Sequence, residues 1–326
     1  MGPAQRLSIT CVRPADSQDP VGDLAPGERV LVVGQPVVGR VRLLPQVDGS
    51  WTLTELVVPD HDPHKMVRML LQGAFGVVLD AGGSLLRAET DHPALSEYGF
   101  AASESSGWTR TLADEPRPVP AVSVIPLRDG PSGLEVFVQH RVPTMDFVPG
   151  AVVFPGGRVD PPDVDLGASF DLPEGFVEQH IVRWAATGYV AESADPAASV
   201  RTLLATGVRE MAEETGARVG ASRLVPWDNW VTPIDWPRRF DVSFFVLPTD
   251  GDRLVNTTTE AHTSEWMAVD ELVSRVEADE IAMVPPTRTA VDELQVLGSV
   301  DAVLALQPVI RPVRHDVATR RPRPSA

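Results

Sequence analysis

Apolar residues change period along this chain, and the changes divide it into elements. In the first third, "GRVRLLP" and "WTLTELVVP" read as two strands of a hairpin across "QVDGS", and "PHKMVRMLLQGAFGVVLD" reads as a helix. A strand, "SLLRAET", and the short "HPALSEYGF" follow. Beyond residue 120, "AVSVIPL", "LEVFVQHR" and "GAVVFPGG" are β-branched and aromatic runs separated by turn signals, which predict a mixed sheet. A loop then leads into a helix expected from Glu174 to Tyr189. A second helix is expected from Ser199 to Thr215, with Gly216 as its C-terminal cap. "RRFDVSFFVLP" is a strand, "EWMAVDELVSRVEADE" a strand turning into a helix, and "PPTRTAVDELQVLG" a final helix with proline in its first turn. Strands and helices in this order give an α+β fold.

Proline divides the chain into domains. "DEPRPVPAVSVIPL" denies the backbone the donors that a regular element needs, so the boundary is placed near residue 116. Residues 1–115 form a smaller α+β domain, 116–310 the main domain, and the basic, proline-rich 311–326 a disordered tail. No apolar run approaches the roughly twenty residues of a membrane span. The first residues lack the basic-then-apolar order of a secretory signal. The one cysteine, Cys11, excludes an intrachain disulfide and fits a cytoplasmic location. A net charge of −17 argues against nucleic acid as the partner. An anionic substrate would need a metal or local arginines.

"REMAEETG", Arg209 to Gly216, makes that condition concrete. Glu210, Glu213 and Glu214 fall at i, i+3 and i+4 and share one helix face, while Leu204, Val208 and Met211 fall on the other. Like charges so spaced repel by a few tenths of a kcal/mol. Either solvent tolerates the cluster or a cation neutralises it.

"FPGGRVD", Phe154 to Asp160, together with Arg209-Glu210-x-x-Glu213-Glu214-x-Gly216, resembles the Nudix box of the Nudix hydrolases. The family joins glycine to arginine over about fourteen positions, whereas Gly157 and Arg209 stand 52 apart. An insertion at about 164–198 therefore splits the box, and it is expected to form a separate helical lobe beside the site. The consensus acid after the glycine falls at Asp163. The resemblance implies a mixed-sheet α/β/α sandwich and a Mg²⁺ or Mn²⁺ site made by Glu210, Glu213, Glu214 and the Gly157 carbonyl, with Arg209 orienting a glutamate. Hard cations of this kind take carboxylate and carbonyl oxygens and share their shell with water and phosphate.

"VFVQHRVPTMDFVPGAVVFPGGRVD", "NWVTP" and "PPTRTAVDEL" extend the likeness to the interrupted-box branch that includes the peroxisomal coenzyme A diphosphatase. That implies hydrolysis of a small nucleoside-diphosphate-linked substrate, coenzyme A or an acyl-CoA first. Nucleotide sugars, dinucleotides and damaged nucleotides, or ligand sensing without turnover, are the alternatives. Arg141 and Arg158 are candidates to bind phosphate. Trp230, Trp236 and Phe240 are read either as rings stacking on adenine or as core. Glu260 is favoured over Glu265 as the acid that positions water, with His262 beside them. A homodimer is left open. Residues 1–115 show a faint resemblance to the second half of a GNAT acetyltransferase, with "DHDPHKM" where that family has a glycine-rich phosphate loop.

Overall fold

A computed structural model describes residues 9–12, 24–33, 39–58, 63–103, 107–112, 117–142, 150–234, 236, 238–249, 253–259, 261–307 and 309–314. The chain divides into two compact units, one built from Met1–Arg117, Thr232–Arg239 and Arg314–Arg321 and the other from the remainder.

In the first unit the described strands are β1 (Ile9–Val12), β2 (Arg29–Val33), β3 (Gly39–Pro45), β4 (Trp51–Val57), β5 (Leu85–Ala88), β6 (Ala101–Ser103) and β7 (Gly107–Thr111). They form one sheet in the order β1-β2-β3-β4-β5-β7-β6. The expected hairpin is β3 against β4. The expected helix is α1 (Pro63–Asp80), which crosses from β4 to its parallel neighbour β5. Val67, Leu70, Leu71, Ala74, Phe75 and Val78 recur at helical spacing and are buried on Leu31, Val41, Leu43 and Leu86. On the other side of β3, Arg40 donates to Glu55 at 2.6 Å and Arg42 to Glu28 at 2.7 Å. Ile234, far away in sequence, is buried in the same core.

The second unit begins with β8 (Val119–Gly130) and β9 (Gly133–Arg141), followed by β10 (Ala151–Val153) and β11 (Gly156–Arg158). Helices α2 (Pro162–Ala168), α3 (Phe176–Trp184), α4 (Gly188–Ala191) and α5 (Pro196–Thr215) come next. Then follow β12 (Val225–Val231), β13 (Phe240–Pro248), β14 (Ala261–Ala268), α6 (Val269–Glu277), β15 (Ala282–Met283), α7 (Pro285–Leu297), α8 (Val300–Ala305) and β16 (Pro312–Val313). The described strands make a mixed sheet, parallel at β8–β13, β10–β15 and β12–β16 and antiparallel elsewhere. Val124, Ile125 and Leu127 of β8 and Val136, Phe137 and Val138 of β9 are all buried. Successive strand residues face opposite sides, so both faces of this sheet are covered. On one face Val122, Val124, Phe137 and Phe245 pack with residues of α3, α4 and α5.

Three expectations change here. The helix expected over Glu174 to Tyr189 is two helices, because Thr187 donates its hydroxyl to the Trp184 carbonyl at 2.8 Å and closes α3. The inserted segment is no separate lobe. Its Val177, Trp184 and Val190 are buried in one core with Val200, Leu203 and Met211 of α5. Residues 312–313, expected within the disordered tail, pair with β12 instead, whose neighbouring edge they cover. Residues 315–326 lie outside the described residues.

Candidate active site

The two halves of the box meet because glycines let backbones approach. A Cβ on Gly156 would overlap the Val122 carbonyl, so only glycine lets β11 lie in register on β8, with Gly157 opposite Val122. On α5, a Cβ on Gly207 would come within 3.0 Å of Leu224 and 3.3 Å of Val124. This closeness brings the glutamate face of α5 to the glycine turn.

Helix α5 itself is well delimited. Asp195 caps its start by accepting from the Ala198 N–H at 2.9 Å, Pro196 occupies the first turn, and Gly216 ends it at φ 68°. Its last carbonyls are taken by a strap. The Thr257 hydroxyl donates to the Glu213 carbonyl at 2.7 Å, the Thr257 N–H to Glu214 at 3.1 Å and the Val255 N–H to Thr215 at 3.1 Å.

The Gly156 N–H donates to Glu214 Oε2 at 3.0 Å. A Cβ on Gly157 would overlap the Glu210 carboxylate, so that carboxylate occupies the space the glycine leaves. Arg209 stands among the acids. It donates to Glu210 Oε1 at 2.8 Å, to Glu213 Oε2 at 3.2 Å, to the Arg158 carbonyl at 2.9 Å and to both oxygens of Asp163 at 2.8 and 3.0 Å. These bonds, with Asp163 foremost, hold its guanidinium charged well above its ordinary range. Burial pushes the Glu210 carboxyl up, and Arg209 opposes part of that rise. Glu210 and Glu214 are buried, whereas Glu213 is exposed.

Asp163 is wholly buried, and it points at Arg209 rather than joining the three glutamates. Burial favours its neutral form, but Arg209, the Asp160 N–H at 2.9 Å and the Thr206 hydroxyl at 2.8 Å together hold its pKa below the usual value. Thr206 was not singled out by sequence reasoning. Its only signal is a position three residues before Arg209, on the same helix face.

Among the described residues, no three acidic, histidine or cysteine side chains are already gathered as a metal cage. Arg209 spans Glu210 and Glu213, and Gly156 holds one oxygen of Glu214. The donor set nonetheless fits a hard divalent cation. Carboxylate oxygens flank a glycine that leaves room for them, and such a cation keeps several waters and takes other oxygens from its substrate.

The other candidates are dispersed. Arg141 ends β9 opposite Ala261, and Arg158 is exposed on β11. Trp230 is buried in β12 and donates its indole N–H to Asp228 at 2.7 Å, so in this structure its ring is part of the core. Trp236 belongs to the first unit, with the Arg68 guanidinium 5.3 Å from its ring centre, and Phe240 is half-buried. Glu260 lies outside the described residues. His140 Nε2 and Glu265 Oε1 are 2.9 Å apart, and the His140 and His262 rings are 5.8 Å apart. Among the described residues, no helix is long and apolar enough to cross a membrane.

No family model matches the chain. A Caenorhabditis elegans protein named "Putative nudix hydrolase 7" is 29% identical over 157 residues, 46% of this chain and 52% of that protein. The chain thus matches about half the length of this relative. A NUDIX hydrolase structure from Alicyclobacillus acidocaldarius is 23% identical, covers 59% of this chain and 98% of its own, and gives a TM-score of 0.46. A structure from Desulfovibrio desulfuricans, described as "a putative acetyltransferase of the GNAT family", covers 27% of this chain and 71% of its own at 22% identity and a TM-score of 0.24. The chain is similar over 157 residues to a Nudix relative, and the two parts of the motif, the paired glycines and the glutamates of α5, are brought together in the fold.

Proposed function

We propose that this protein is a divalent-cation-dependent Nudix hydrolase that cleaves a diphosphate bond in a small nucleoside-diphosphate-linked molecule, with coenzyme A or an acyl-CoA as the substrate. One observation carries the reading: Gly156 and Gly157, 52 or more positions from Arg209 in the chain, sit directly on Glu214 and Glu210. Glu210, Glu213 and Glu214, with the Gly157 carbonyl, would hold Mg²⁺ or Mn²⁺. When bound, such a cation polarises the phosphoryl oxygen and eases deprotonation of the attacking water.

The chain's own residues supply the remainder. Arg209 orients Glu210 and Glu213 by donating to both, and it opposes part of the rise that burial imposes on the Glu210 carboxyl. Glu260 is the proposed acid that positions water. Arg141 or Arg158 would offer a forked donor to the 3′-phosphate of coenzyme A. Water attack at phosphorus then releases 3′-phosphoadenosine 5′-phosphate and phosphopantetheine. The first unit is read as a domain without transferase activity. Its strand order and the parallel β4–β5 pair joined by α1 support the acetyltransferase-like reading, while "PDHD" before α1 contains no glycine.

The test is hydrolysis by the full chain of coenzyme A, dephospho-coenzyme A, ADP-ribose and NADH at matched concentration, with Mg²⁺ and then Mn²⁺ and products identified by mass. Coenzyme A should be cleaved best, and Glu213→Gln or Glu214→Gln should each lower turnover by about a hundredfold or more. Preference for ADP-ribose or NADH would overturn the coenzyme A assignment alone. Absence of any diphosphate cleavage would overturn the enzyme.

A further inference from the structure

Splitting the box costs it covalent continuity. In this chain the acid at Asp163 and the arginine at Arg209 belong to different helices, α2 and α5, with two further helices between them. Something must fix α2 on α5 if Asp163 is to hold Arg209, and three contacts do so, two at the end of α2 and one near its start. At the far end of α2, Arg201 Nη1 donates to the Phe170 carbonyl at 3.0 Å and to Gly167 at 3.3 Å. At the same end, a Cβ on Gly167 would overlap the Arg201 carbonyl, so the two backbones touch. At the near end, the Thr206 hydroxyl meets Asp163 Oδ2 at 2.8 Å.

The third contact differs from the others in what it reaches. Thr206 and Asp163 are both wholly buried. The Thr206 hydroxyl has one proton and faces two acceptors, Asp163 Oδ2 at 2.8 Å and the Thr202 carbonyl at 3.0 Å. The ionised carboxylate is the stronger acceptor, because a charge-assisted bond is about twice as strong as a neutral one. Asp163 Oδ2 also receives the Asp160 N–H and Arg209 Nη2. Arg209 in turn reaches Glu210 and Glu213. A chain of bonds therefore runs from Thr206 through Asp163 and Arg209 to two of the three glutamates.

We propose that Thr206 is a positioning residue: it latches Asp163 of α2 to α5 and so replaces the covalent continuity that the insertion removes from the box. The latch rests on the proposed hydrolysis only for its effect on turnover. Its effect on Arg209 is independent of any substrate.

Two measurements test it, on full-length Thr206→Val, which keeps the shape and drops the hydroxyl, and Thr206→Ser, which keeps the hydroxyl. In the first, exchange of the Arg209 Nε–H with solvent is followed by NMR in the metal-free protein. It should be slow in the parent, quicken by about tenfold or more in Thr206→Val, and be slow again in Thr206→Ser. In the second, kcat should fall by about 10 to 100-fold in Thr206→Val while KM for the diphosphate stays within about threefold, and Thr206→Ser should recover most of the loss. A merely structural threonine would lower the melting temperature and leave both readouts in place. Unchanged Arg209 exchange in Thr206→Val, or Thr206→Ser as impaired as Thr206→Val, overturns the latch. Should Thr206→Val not fold, Thr206→Ala against Thr206→Ser carries the same comparison. A parent that hydrolyses no diphosphate overturns the proposed function, and Arg209 exchange still decides the latch.

Discussion

Gly157 owes its identity to the carboxylate standing where its side chain would be. Gly157→Ala pushes a methyl into Glu210, and the carboxylate has to give way because the Val122 pairing fixes the strand. Turnover on the best diphosphate should fall by about tenfold or more, while the metal-free melting temperature moves by only a few degrees, since a small residue on a short strand contributes little packing. Near-parental turnover would show that the Glu210 position is not used. At this scale the sequence was legible where spacing was decisive: the paired glycines and the glutamates at i, i+3 and i+4 are visible in the string. Thr206 was not, because a threonine inside a helix reads as neutral until its partner on another helix is known. Trp230, read from the string either as a stacking ring or as core, is buried in β12. An aromatic ring beside a motif looks available until its N–H is found bonded to Asp228.

At the scale of elements, strong periodicity translated directly. Helix α1 spans Pro63–Asp80 as its apolar spacing predicts, and α5 ends at the glycine expected to cap it. The run "VPWDNWV" gave no such signal, because Asp228 and Asn229 interrupt it, yet both are buried in β12, where Asn229 donates to Asp241 at 2.6 Å. Polar residues partnered inside a sheet hide the alternation that reveals a strand. The inserted helices were misjudged similarly, since no pattern states which core a helix joins. Their burial has a consequence for acid stability. His180 of α3 is buried between Phe176, 4.2 Å away between ring centres, and Phe245, at 6.3 Å, and burial, with Arg183 adding to it, pushes its pKa down to about 4. An imidazole kept neutral in the fold binds its proton more readily when unfolded. Its contribution is therefore complete above about pH 6.5 and is lost as pH falls from there toward 4, by about 3 kcal/mol at most. Melting curves between pH 7 and 4.5 should decline more steeply for the parent than for His180→Phe. Parallel declines would mean that His180 takes up its proton without cost in the fold.

Across the whole molecule, the division into units does not follow the division of the chain. The boundary expected from the proline-rich stretch lies close to Arg117, where the first unit's long segment ends, but that unit also takes Thr232–Arg239 and Arg314–Arg321. Those additions are not decorative. Ile234 is buried among Leu70, Phe75 and Leu86, and Arg314 donates to Asp80 at 2.7 Å. Ile234→Ala should cost the first unit about 2 kcal/mol or more, read as faster amide exchange in α1 with the amides of β13 unaffected. Equal exchange in α1 before and after would mean that its core closes without this residue. Composition could not have shown this, because "VTPIDWPRRF" reads as a loop between two strands and nothing local marks one isoleucine as belonging to another core. The arrangement also sets a timetable for biosynthesis. A ribosome delivers the β2–β4 strands and α1 first, but the side chain that completes their core is made more than a hundred residues later, and Arg314 later still. Until the chain has been made past β12, the first unit's core lacks the Ile234 side chain.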